Sequence, residues 1–516
     1  MSTPQPDLRP KEIQTRFLYP FFFDRGKASQ ASDELSGETI PARGGLPIAI
    51  WECAEPPALY REELLDHVDN FLFQTTARGC RYLRVSSPAS SRWFNKLQAV
   101  LIEPRPARES ITWPISLVPL AGIEVFLTNY GAGVLSISLS PDQVELSFEN
   151  AILFNYKLAQ LRPQVSARLH IPHPSENQKA WEHMSQQQKD EVGSPPSAHA
   201  PVIERLGVAG GSFLLGEFVV AVLLRPLGSL GLEPVQTQFS VYTVVRFGEE
   251  VDFEKPEITG KLATFLSGIS QIEEPTHAGS PARVVGVTHA ILNRRHIAAV
   301  GLLGMAQMVS DQPTPDLSFN AQRVPRVIGK YFIPYLVALF QRISLQRALS
   351  EASDLVLNQS REMQAEFSKL RRHLIEFAVE GYFPETSHRE VLDRYYRMAQ
   401  EGLGVRRAYQ DVSRSIADID AQFAADHQAK LAEAMAENVA ATRNLQEDTA
   451  KVQHKLGLLE HFVISVYAAT LWEMLASHID QLDRWIPHGV IVFAILGFVG
   501  TWGFEKLWDK KHISNK

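Results

Sequence analysis

The sequence predicts an α+β or α/β cytosolic domain, followed by long coiled-coil stalk helices and a C-terminal transmembrane helical hairpin. Three observations support this prediction. Strand-like and helix-like runs alternate in the first third of the chain, apolar residues recur at four-three spacing from Ser350 onward, and the last sixty residues contain two apolar segments. With 516 residues and 45% apolar content, the chain has enough apolar material for a core and for more than one domain.

Residues 1–172 are predicted to form an N-terminal α/β cytosolic domain. Four runs have the β-branched, alternating character of half-buried strands: Pro47–Cys53, Arg81–Ser86, Gly122–Thr128 and Gly133–Leu139. Asn129–Ala132 would join the last two as a hairpin connection, because its glycine tolerates a positive φ. Next, Ser140–Asp142 carries a helix start signal with proline in the first turn, so we expect a helix over Gln143–Leu161.

Residues 173–200 are predicted to form a disordered insertion. They are rich in Ser, Gln, Pro and charged residues and have too little apolar surface to order themselves. Regular structure is expected to resume in residues 201–348, the second part of the cytosolic domain, with Phe213–Leu224 and Gln238–Phe247. This part should also contain two core helices, Ile297–Val309 and Tyr331–Leu345, because neither has the roughly 18 uninterrupted apolar residues of a membrane span.

Residues 349–459 are predicted to form a helical stalk with breaks at Gly381–Ser387 and Gly402–Gly404. Apolar residues repeat at the four-three spacing of coiled-coil seams over 363–377 and 405–423. The seam weakens after Phe423 and then recovers. Its recovered members are Leu445, Thr449, Val452, Leu456 and Leu459. A solitary helix would leave these seams in water, so we expect homo-oligomerisation through the stalk.

Residues 460–508 are predicted to cross the membrane as a hairpin of two helices. Gly489–Phe504 carries no charge and, with the apolar residues at its ends, approaches the roughly 20 residues that a spanning helix needs. Trp485 and Trp508 lie where an aromatic belt would place them, and lysines crowd the distal end. Residues 509–516 should therefore be a cytoplasmic lysine-containing tail.

Phe462–Ala476 is the candidate first span, although it is short and contains Glu473. If Gly489–Phe504 were the only span, the lysine-rich tail would lie outside, against the positive-inside tendency. A hairpin places both termini in the cytoplasm and Ser477–Arg484 outside, with the protein in the inner (plasma) membrane and the bulk of the chain cytoplasmic. The alternative is a single tail anchor preceded by an amphipathic helix.

One face of the first span is a candidate ion path. Extending the recovered seam by the same spacing reaches Val463, Val466, Thr470, Glu473 and Ser477. In a symmetric bundle this face would point to the axis, with a hydrophobic constriction at the two valines below a hydroxyl ring and a carboxylate ring. An intramembrane carboxylate has a functional role by default. The alternative is that Glu473 snorkels into the outer interface.

Composition and motifs argue against several other classes of protein. The net charge of -7 gives no reason to expect a nucleic-acid surface. Met1–Lys11 is polar, so we expect no N-terminal signal peptide. The two cysteines, Cys53 and Cys80, fit a reducing compartment and cannot supply a zinc ligand set by themselves. No hydrolase or metalloenzyme motif occurs, so we predict no enzyme activity, no catalytic residue and no bound cofactor.

Two further groupings are weaker signals. One is a glycine-rich run, made of Gly207, Gly210, Gly211 and Gly216. No Gly-Lys-Ser/Thr follows it, so we expect a structural loop or close packing rather than a phosphate-binding loop. The other is a histidine pair, His289 and His296, with two arginines nearby. The pair could form a basic anion site on one helical face, but a satisfied or exposed helix face is the expected role.

The C-terminal part of the chain resembles a known family in layout and local pattern. The resemblance is carried by Tyr331–Arg347 (YFIPYLVALFQRISLQR), by Leu370–Tyr396 (LRRHLIEFAVEGYFPETSHREVLDRYY), by a helix ending in IADIDAQF, and by the terminal hairpin with its acidic turn and lysine tail. This part is similar to the CorA-type divalent-cation transporter superfamily, and more closely to its large bacterial CorA-like members. The resemblance implies a homopentamer in which a stalk helix leads into a pore-lining first span, with Mg²⁺ or another divalent cation as the transported ion.

The family's Gly-Met-Asn tripeptide at the outer end of the first span is absent, and the sequence there reads Met474-Leu475-Ala476-Ser477-His478. Two hypotheses therefore stand. The first is an oligomeric ion channel or divalent metal ion transporter gated by its cytosolic domain. The second is a membrane-anchored sensor or effector without selective transport, for example in prokaryotic antiviral defence. Either could bind a small molecule or nucleotide in the cytosolic domain, although no residue pattern identifies one.

Overall fold

The computed structural model describes residues 8–40, 47–76, 79–87, 89, 98–100, 112–117, 122–141, 147–161, 168–170, 212–248, 251–272, 287–312, 320–358, 363–476 and 486–513. The chain divides into two compact units, Met1–Ala417 and Asp418–Lys516. We refer to them as the first and the second unit and describe each by itself. The insertion predicted at 173–200 lies outside the described residues.

The strands of the first unit, in chain order, are β1 (Pro10–Phe22), β2 (Thr39–Ile40), β3 (Ile48–Ala49), β4 (Trp51–Cys53), β5 (Thr75–Thr76), β6 (Gly79–Cys80), β7 (Tyr82–Val85), β8 (Gln98–Val100), β9 (Thr112–Leu117), β10 (Ile123–Leu127), β11 (Ala132–Pro141), β12 (Arg168–His170), β13 (Ser212–Leu214), β14 (Glu233–Pro234), β15 (Ser240–Phe247), β16 (Thr288–Asn293), β17 (His296–Val300) and β18 (Gly304–Ser310).

The helices of the first unit are α1 (Ala28–Gly37), α2 (Ala58–Arg61), α3 (Asp66–Phe73), α4 (Phe148–Ala159), α5 (Leu215–Phe218), α6 (Pro256–Gln271), α7 (Arg323–Gly329), α8 (Phe332–Asn358), α9 (Met363–Glu380) and α10 (Glu390–Gly402). A π-helical turn at Val219–Leu223 and a 3₁₀ helix at Arg225–Leu230 follow α5. Helix α11 (Val405–Ala476) begins in the first unit and continues into the second, which also contains α12 (Ile486–Ile513).

Fourteen of the described strands form one mixed sheet. Its main order is β13-β12-β8-β9-β11-β1-β15-β18-β17-β16, and β10, β7 and β4 branch from β11. Strand β1 pairs antiparallel with both β11 and β15, whereas β15 and β18 run parallel. The sheet domain that the sequence predicts is confirmed as an α/β domain, and β1 lies at its centre.

Strand β1 is not among the strands that the sequence patterns predict, although it is 13 residues long. Its side chains alternate between two covered faces. Ile13 and Phe17 belong to the apolar clusters on one face, and the intervening Arg16 lies on the other. Because both faces are covered, the polar residue is buried as completely as its apolar neighbours, and the alternation of polar and apolar residues that marks a half-buried strand is weak.

Helices cover both faces of the sheet. On β15, the Thr243 hydroxyl accepts a hydrogen bond from Asn155 of α4 at 2.8 Å. The neighbouring Tyr242 donates from its hydroxyl to the Val327 carbonyl of α7 at 2.8 Å. Helices α4 and α6 therefore lie on one face, and α7, α8 and α10 contact the sheet from the other. This three-layer arrangement is typical of α/β domains.

A buried ion pair connects the second face to the helices above it. Arg16 Nη1 donates to Glu124 Oε2 at 2.7 Å, and both side chains are almost fully buried. The carboxylate also accepts hydrogen bonds from the hydroxyls of Tyr60 and Tyr82 at 2.9 and 2.6 Å. The Arg16 guanidinium lies over the ring of Phe332 on α8, 4.0 Å from its centroid. Each charge is thus compensated, as burial requires.

The hairpin predicted at Asn129–Ala132 is confirmed. Strands β10 and β11 are antiparallel neighbours, and Gly131 has a φ of +72°. The helix expected over Gln143–Leu161 begins later than predicted, because Pro141 ends β11. Helix α4 starts at Phe148, and the hydroxyl of Ser147 caps it by accepting from the Asn150 amide at 3.1 Å.

The helix predicted at Ile297–Val309 is wrong. This segment forms the antiparallel strands β17 and β18, with Ile297 opposite Met308. The glycines that bound the connection explain the difference. Gly301 donates its amide to the Gly304 carbonyl at 2.9 Å, and a Cβ at Gly304 would lie 2.6 Å from the Val241 carbonyl oxygen. A short apolar run between turn signals cannot be told from a buried helix by periodicity alone. The second predicted helix, Tyr331–Leu345, is confirmed from Phe332 onward as the first part of α8.

Cys53 is disulfide-bonded, contrary to the expectation of reduced cysteines. The only other cysteine of the chain is Cys80. Cys53 pairs with Leu83 across β4 and β7, and Leu83 follows Cys80 by three residues. Strand pairing therefore brings the two cysteine positions into neighbouring segments. The expectation was wrong because it used the number of cysteines and not their positions in the sheet.

Candidate functional site

The end of α11 exposes a long apolar surface. Tyr467 and Leu471 are 73% and 63% exposed, and most of their apolar neighbours are also exposed. Among the described residues, one helix, Val405–Leu475, contains a window long and apolar enough to cross a membrane, and His488–Gly500 is a shorter apolar helix. Exposed apolar surface of this extent is unusual in a soluble monomer and is typical of membrane-associated helices.

The end of α11 packs against α12 within the second unit. The rings of Trp472 and Phe493 stack with centroids 4.5 Å apart. A Cβ at Gly489 would overlap the Trp472 ring, and one at Gly497 would lie 3.3 Å from the Cα of Ser465. The earlier residue of α11, Ser465, thus contacts the later residue of α12, Gly497, and the later Trp472 contacts the earlier Gly489. The two helices are therefore antiparallel. Small residues at such contacts allow the close approach that membrane helices use.

The predicted pore-lining residues lie on the part of α11 that α12 leaves open. Val463 and Val466 are 40% and 48% exposed, whereas Ser465, in the contact with α12, is 6% exposed. Thr470 and Glu473 are exposed, and Ser477 lies outside the described residues. Side chains that are two positions apart in a helix point in directions about 200° apart around the helix axis. Val463 and Thr470 therefore lie nearly opposite Ser465 and Trp472, on the uncovered side.

The stalk seams divide into a covered and an open part. Phe367, Phe377 and Val412 are buried, so the earlier seams are satisfied at least partly within the chain. Leu445 and Leu456, from the recovered seam, are 71% and 61% exposed. The part of the seam that could bind a second copy is thus the part nearest the apolar segment.

The histidine pair does not form an anion site. His289 and His296 lie on strands β16 and β17, not on a helix. His296 is fully buried, with its Nε2 2.7 Å from Gln307 Oε1, and burial lowers its pKa to about 4. His289 Nε2 lies 3.1 Å from the hydroxyl of Ser267. Both are satisfied histidines, but of strands rather than of a helix.

The glycine-rich run is only partly within the described residues, because Gly207, Gly210 and Gly211 fall outside them. Gly216, on α5, packs closely: a Cβ there would overlap the side chain of Leu161. This contact agrees with the expected packing role at that position.

Two adjoining cavities in the first unit were not predicted from the sequence. They have volumes of about 520 and 670 Å³, and both are lined by Asn129, Tyr130 and Glu380. We call them the Tyr130 cavities. The smaller cavity lies between the β10–β11 hairpin and helices α8 and α9, which contribute Arg347 and Glu380. The larger cavity is lined by the same hairpin, by α3 and by the end of α9. Their volumes fall within the range of roughly 300–1,000 Å³ that is usual for small-molecule sites.

Two arginines and a histidine from three separate parts of the chain meet in the smaller cavity. Arg25 follows β1, Arg347 lies on α8 and His373 lies on α9. Arg25 Nη1 is 2.5 Å from His373 Nδ1. Arg347 Nη1 donates to the carbonyls of Phe23 and Gly131, each at 2.8 Å. No sequence pattern could have grouped these residues, because the longest separation between them is 348 positions.

No group of three or more His, Cys, Asp or Glu side chains that could hold a metal ion occurs in the described part of the chain. No family model, curated protein or solved structure matches the sequence or the fold. The resemblance to the CorA-type superfamily is therefore carried by the quoted residues alone, and the functional argument depends on the geometry of this chain.

Proposed function

We propose that the protein is a membrane-embedded homo-oligomer of CorA-like layout, in which the first span lines an ion path that the cytosolic domain gates. The observation that carries this proposal is the division of the α11 surface near the membrane. One side packs on α12 through Ser465 and Trp472. Val463 and Thr470 lie nearly opposite this contact, and the exposed Glu473 lies about a quarter-turn from it. An open side with this pattern is suited to other copies of the chain.

The chemistry of the open side explains why lipid is a poor partner for it. A carboxylate within a span is costly unless it faces a water-filled cavity or a polar partner. Thr470 satisfies its hydroxyl by donating to the Val466 carbonyl at 2.8 Å, so it can lie at an axis or in lipid. A carboxylate such as Glu473 cannot donate to its own helix in this way. A symmetric assembly would place it in a carboxylate ring that attracts cations, above a valine constriction that can close by dewetting.

The ion path predicts opposite effects for two substitutions when purified protein is tested in liposomes for Mg²⁺, Co²⁺ and Ni²⁺ flux. Val466→Ser should make the protein leak, because a hydroxyl wets the constriction. Glu473→Gln should lower cation flux or its preference over anions, because the ring charge is lost. Leu471→Ser is the matched control: Leu471 is 63% exposed on another face, so its flux should equal that of the parent. If the parent protein shows no ion flux and Val466→Ser and Glu473→Gln also show none, the ion path is contradicted.

Assembly through the open seam predicts a second result. Leu445→Asp combined with Val452→Asp should abolish the oligomer, because two carboxylates would have to be desolvated at a cost of several kcal/mol. Size-exclusion chromatography with light scattering in detergent measures this directly. The control pair Ala440→Asp and Ala450→Asp adds the same charge on the opposite side of α11 and should leave the oligomer intact. Equal behaviour of the two pairs would mean that the seam faces water.

A membrane-anchored sensor or effector is the second candidate. The missing Gly-Met-Asn tripeptide and the lack of a metal-ligand cluster among the described residues favour it. In this case the antiparallel α11–α12 pair anchors the protein, and the exposed seam assembles it without conduction. An intact oligomer with no flux in the liposome assay would support this candidate over the ion path.

A further inference from the structure

The Tyr130 cavities are lined by arginine and histidine side chains that have no part in the proposed ion path. We propose that they bind a phosphorylated small molecule, with its phosphate between Arg25, Arg347 and His373 and the remainder beside Tyr130. The binding site stands on the geometry of the first unit. Only its role as the gating ligand rests on the proposed function.

Arg25 retains an unused hydrogen-bond donor. Arg25 Nε is buried and has no hydrogen-bond partner among the described residues. Its two other nitrogens are occupied, Nη1 by His373 and Nη2 by Glu351 at 2.7 Å. Buried donors are almost always paired in folded proteins. The Arg25 guanidinium is thus incompletely satisfied within the described residues.

The two arginines share one ion-pair partner, and the other carboxylates that line the smaller cavity, Glu376 and Glu380, form no ion pair with them among the described residues. Glu351 is shared, because its Oε1 accepts from Arg347 Nε at 3.1 Å while its Oε2 contacts Arg25. Two guanidinium groups therefore form ion pairs with a single carboxylate. Burial lowers the pKa of Arg25, and the neighbouring Arg347 lowers it further. A phosphate brings up to two negative charges and several acceptor oxygens, which is the complement that paired arginines recognise best.

His373 adds a directed donor. A guanidinium has no acceptor atom, so His373 Nδ1 must accept from Arg25, and the ring hydrogen then lies on Nε2. Burial and the adjacent Arg25 lower the pKa of His373, which keeps the imidazole neutral at pH 7. The neutral ring can donate from Nε2 to a phosphate oxygen without adding to the crowded positive charge.

The remaining walls suit a ligand body with polar hydrogens. Tyr130 contacts Phe377 edge to face, with centroids 5.7 Å apart, and presents a ring surface to both cavities. Glu380 accepts from the Tyr130 hydroxyl at 3.3 Å and lines both cavities. Its carboxylate can accept further hydrogen bonds from ligand hydroxyl or amino groups. Nucleotides and sugar phosphates share this chemistry: a phosphate at one end and hydrogen-bond donors at the other.

Isothermal titration of the full-length protein in detergent tests the proposal. The probes are AMP and glucose 6-phosphate, each compared with its unphosphorylated parent, adenosine or glucose. We expect at least one phosphorylated probe to bind, and its parent to bind at least about tenfold more weakly. Arg25→Gln and His373→Gln should each weaken binding about tenfold, because each removes a phosphate donor. Arg407→Gln, which removes an exposed charge elsewhere in the first unit, should bind like the parent protein.

Each outcome has a defined meaning. Binding of AMP alone identifies the ligand class as nucleotides, and binding of glucose 6-phosphate alone identifies it as sugar phosphates. Failure of both probes at millimolar concentration overturns the proposal, as does equal affinity for the unphosphorylated parents. If Arg25→Gln does not fold, as judged by thermal unfolding, His373→Gln decides alone, and unchanged affinity overturns the proposal. Binding without ion flux would leave the site standing and contradict only the ion path.

Discussion

Replacing Glu124 by leucine should lower the free energy of unfolding of the first unit by about 3–5 kcal/mol, because it leaves the fully buried Arg16 without its counterion. The loss has two parts: the ion pair disappears, and the hydroxyls of Tyr60 and Tyr82 lose their shared acceptor. Urea unfolding, followed by tryptophan fluorescence, to which the buried Trp51 contributes, measures the effect.

Two controls separate the buried pair from ordinary contacts. Tyr82→Phe removes a single hydrogen bond to Glu124 and should cost about 1–2 kcal/mol. Glu52→Leu removes the carboxylate of the exposed ion pair between Glu52 on β4 and Arg84 on β7. This substitution should cost about 0–1 kcal/mol. If Glu124→Leu is no more destabilising than Glu52→Leu, the buried network does not stabilise the sheet.

Sequence patterns predict strands that alternate between clear turn signals better than strands that are buried throughout. Gly122–Thr128 and Gly133–Leu139 are recognisable because a glycine turn separates two alternating runs, and they match β10 and β11. Strand β1 is harder to recognise because its Arg16 and Thr15 are buried by specific partners, which no pattern reveals. The run Ile297–Val309 resembles a helix because every position in β17 and β18 is buried, so no alternation remains.

Local composition predicts a site only where its residues are near one another in the sequence. The proposed pore face follows from spacing along one helix, so the sequence is sufficient to nominate Val463, Val466, Thr470 and Glu473. It is not sufficient for the proposed phosphate site, because Arg25, Arg347 and His373 meet only after β1, α8 and α9 pack together. The same holds for the Arg16–Glu124 pair, which joins residues 108 positions apart.

The orientation of the second unit in the membrane should be visible in whole cells. In a background with Cys53 and Cys80 replaced by serine, a single cysteine is introduced either at Gln481 or at Ser514. The lysine distribution predicts that residue 481 lies outside and residue 514 in the cytoplasm. Disulfides are rare in the cytoplasm, so the bond at Cys53 favours the reverse orientation. Labelling decides between these two arguments.

Exposure to a membrane-impermeant maleimide, before and after permeabilisation, tests the membrane hairpin most directly. We expect Gln481→Cys to react fully in intact cells and Ser514→Cys to react only after permeabilisation. Reaction of Ser514→Cys in intact cells, with Gln481→Cys protected, would contradict this topology and indicate either a single span or a reversed hairpin. Protection of both positions until permeabilisation would show that the α11–α12 pair does not cross the membrane. This result would also contradict the proposed ion path.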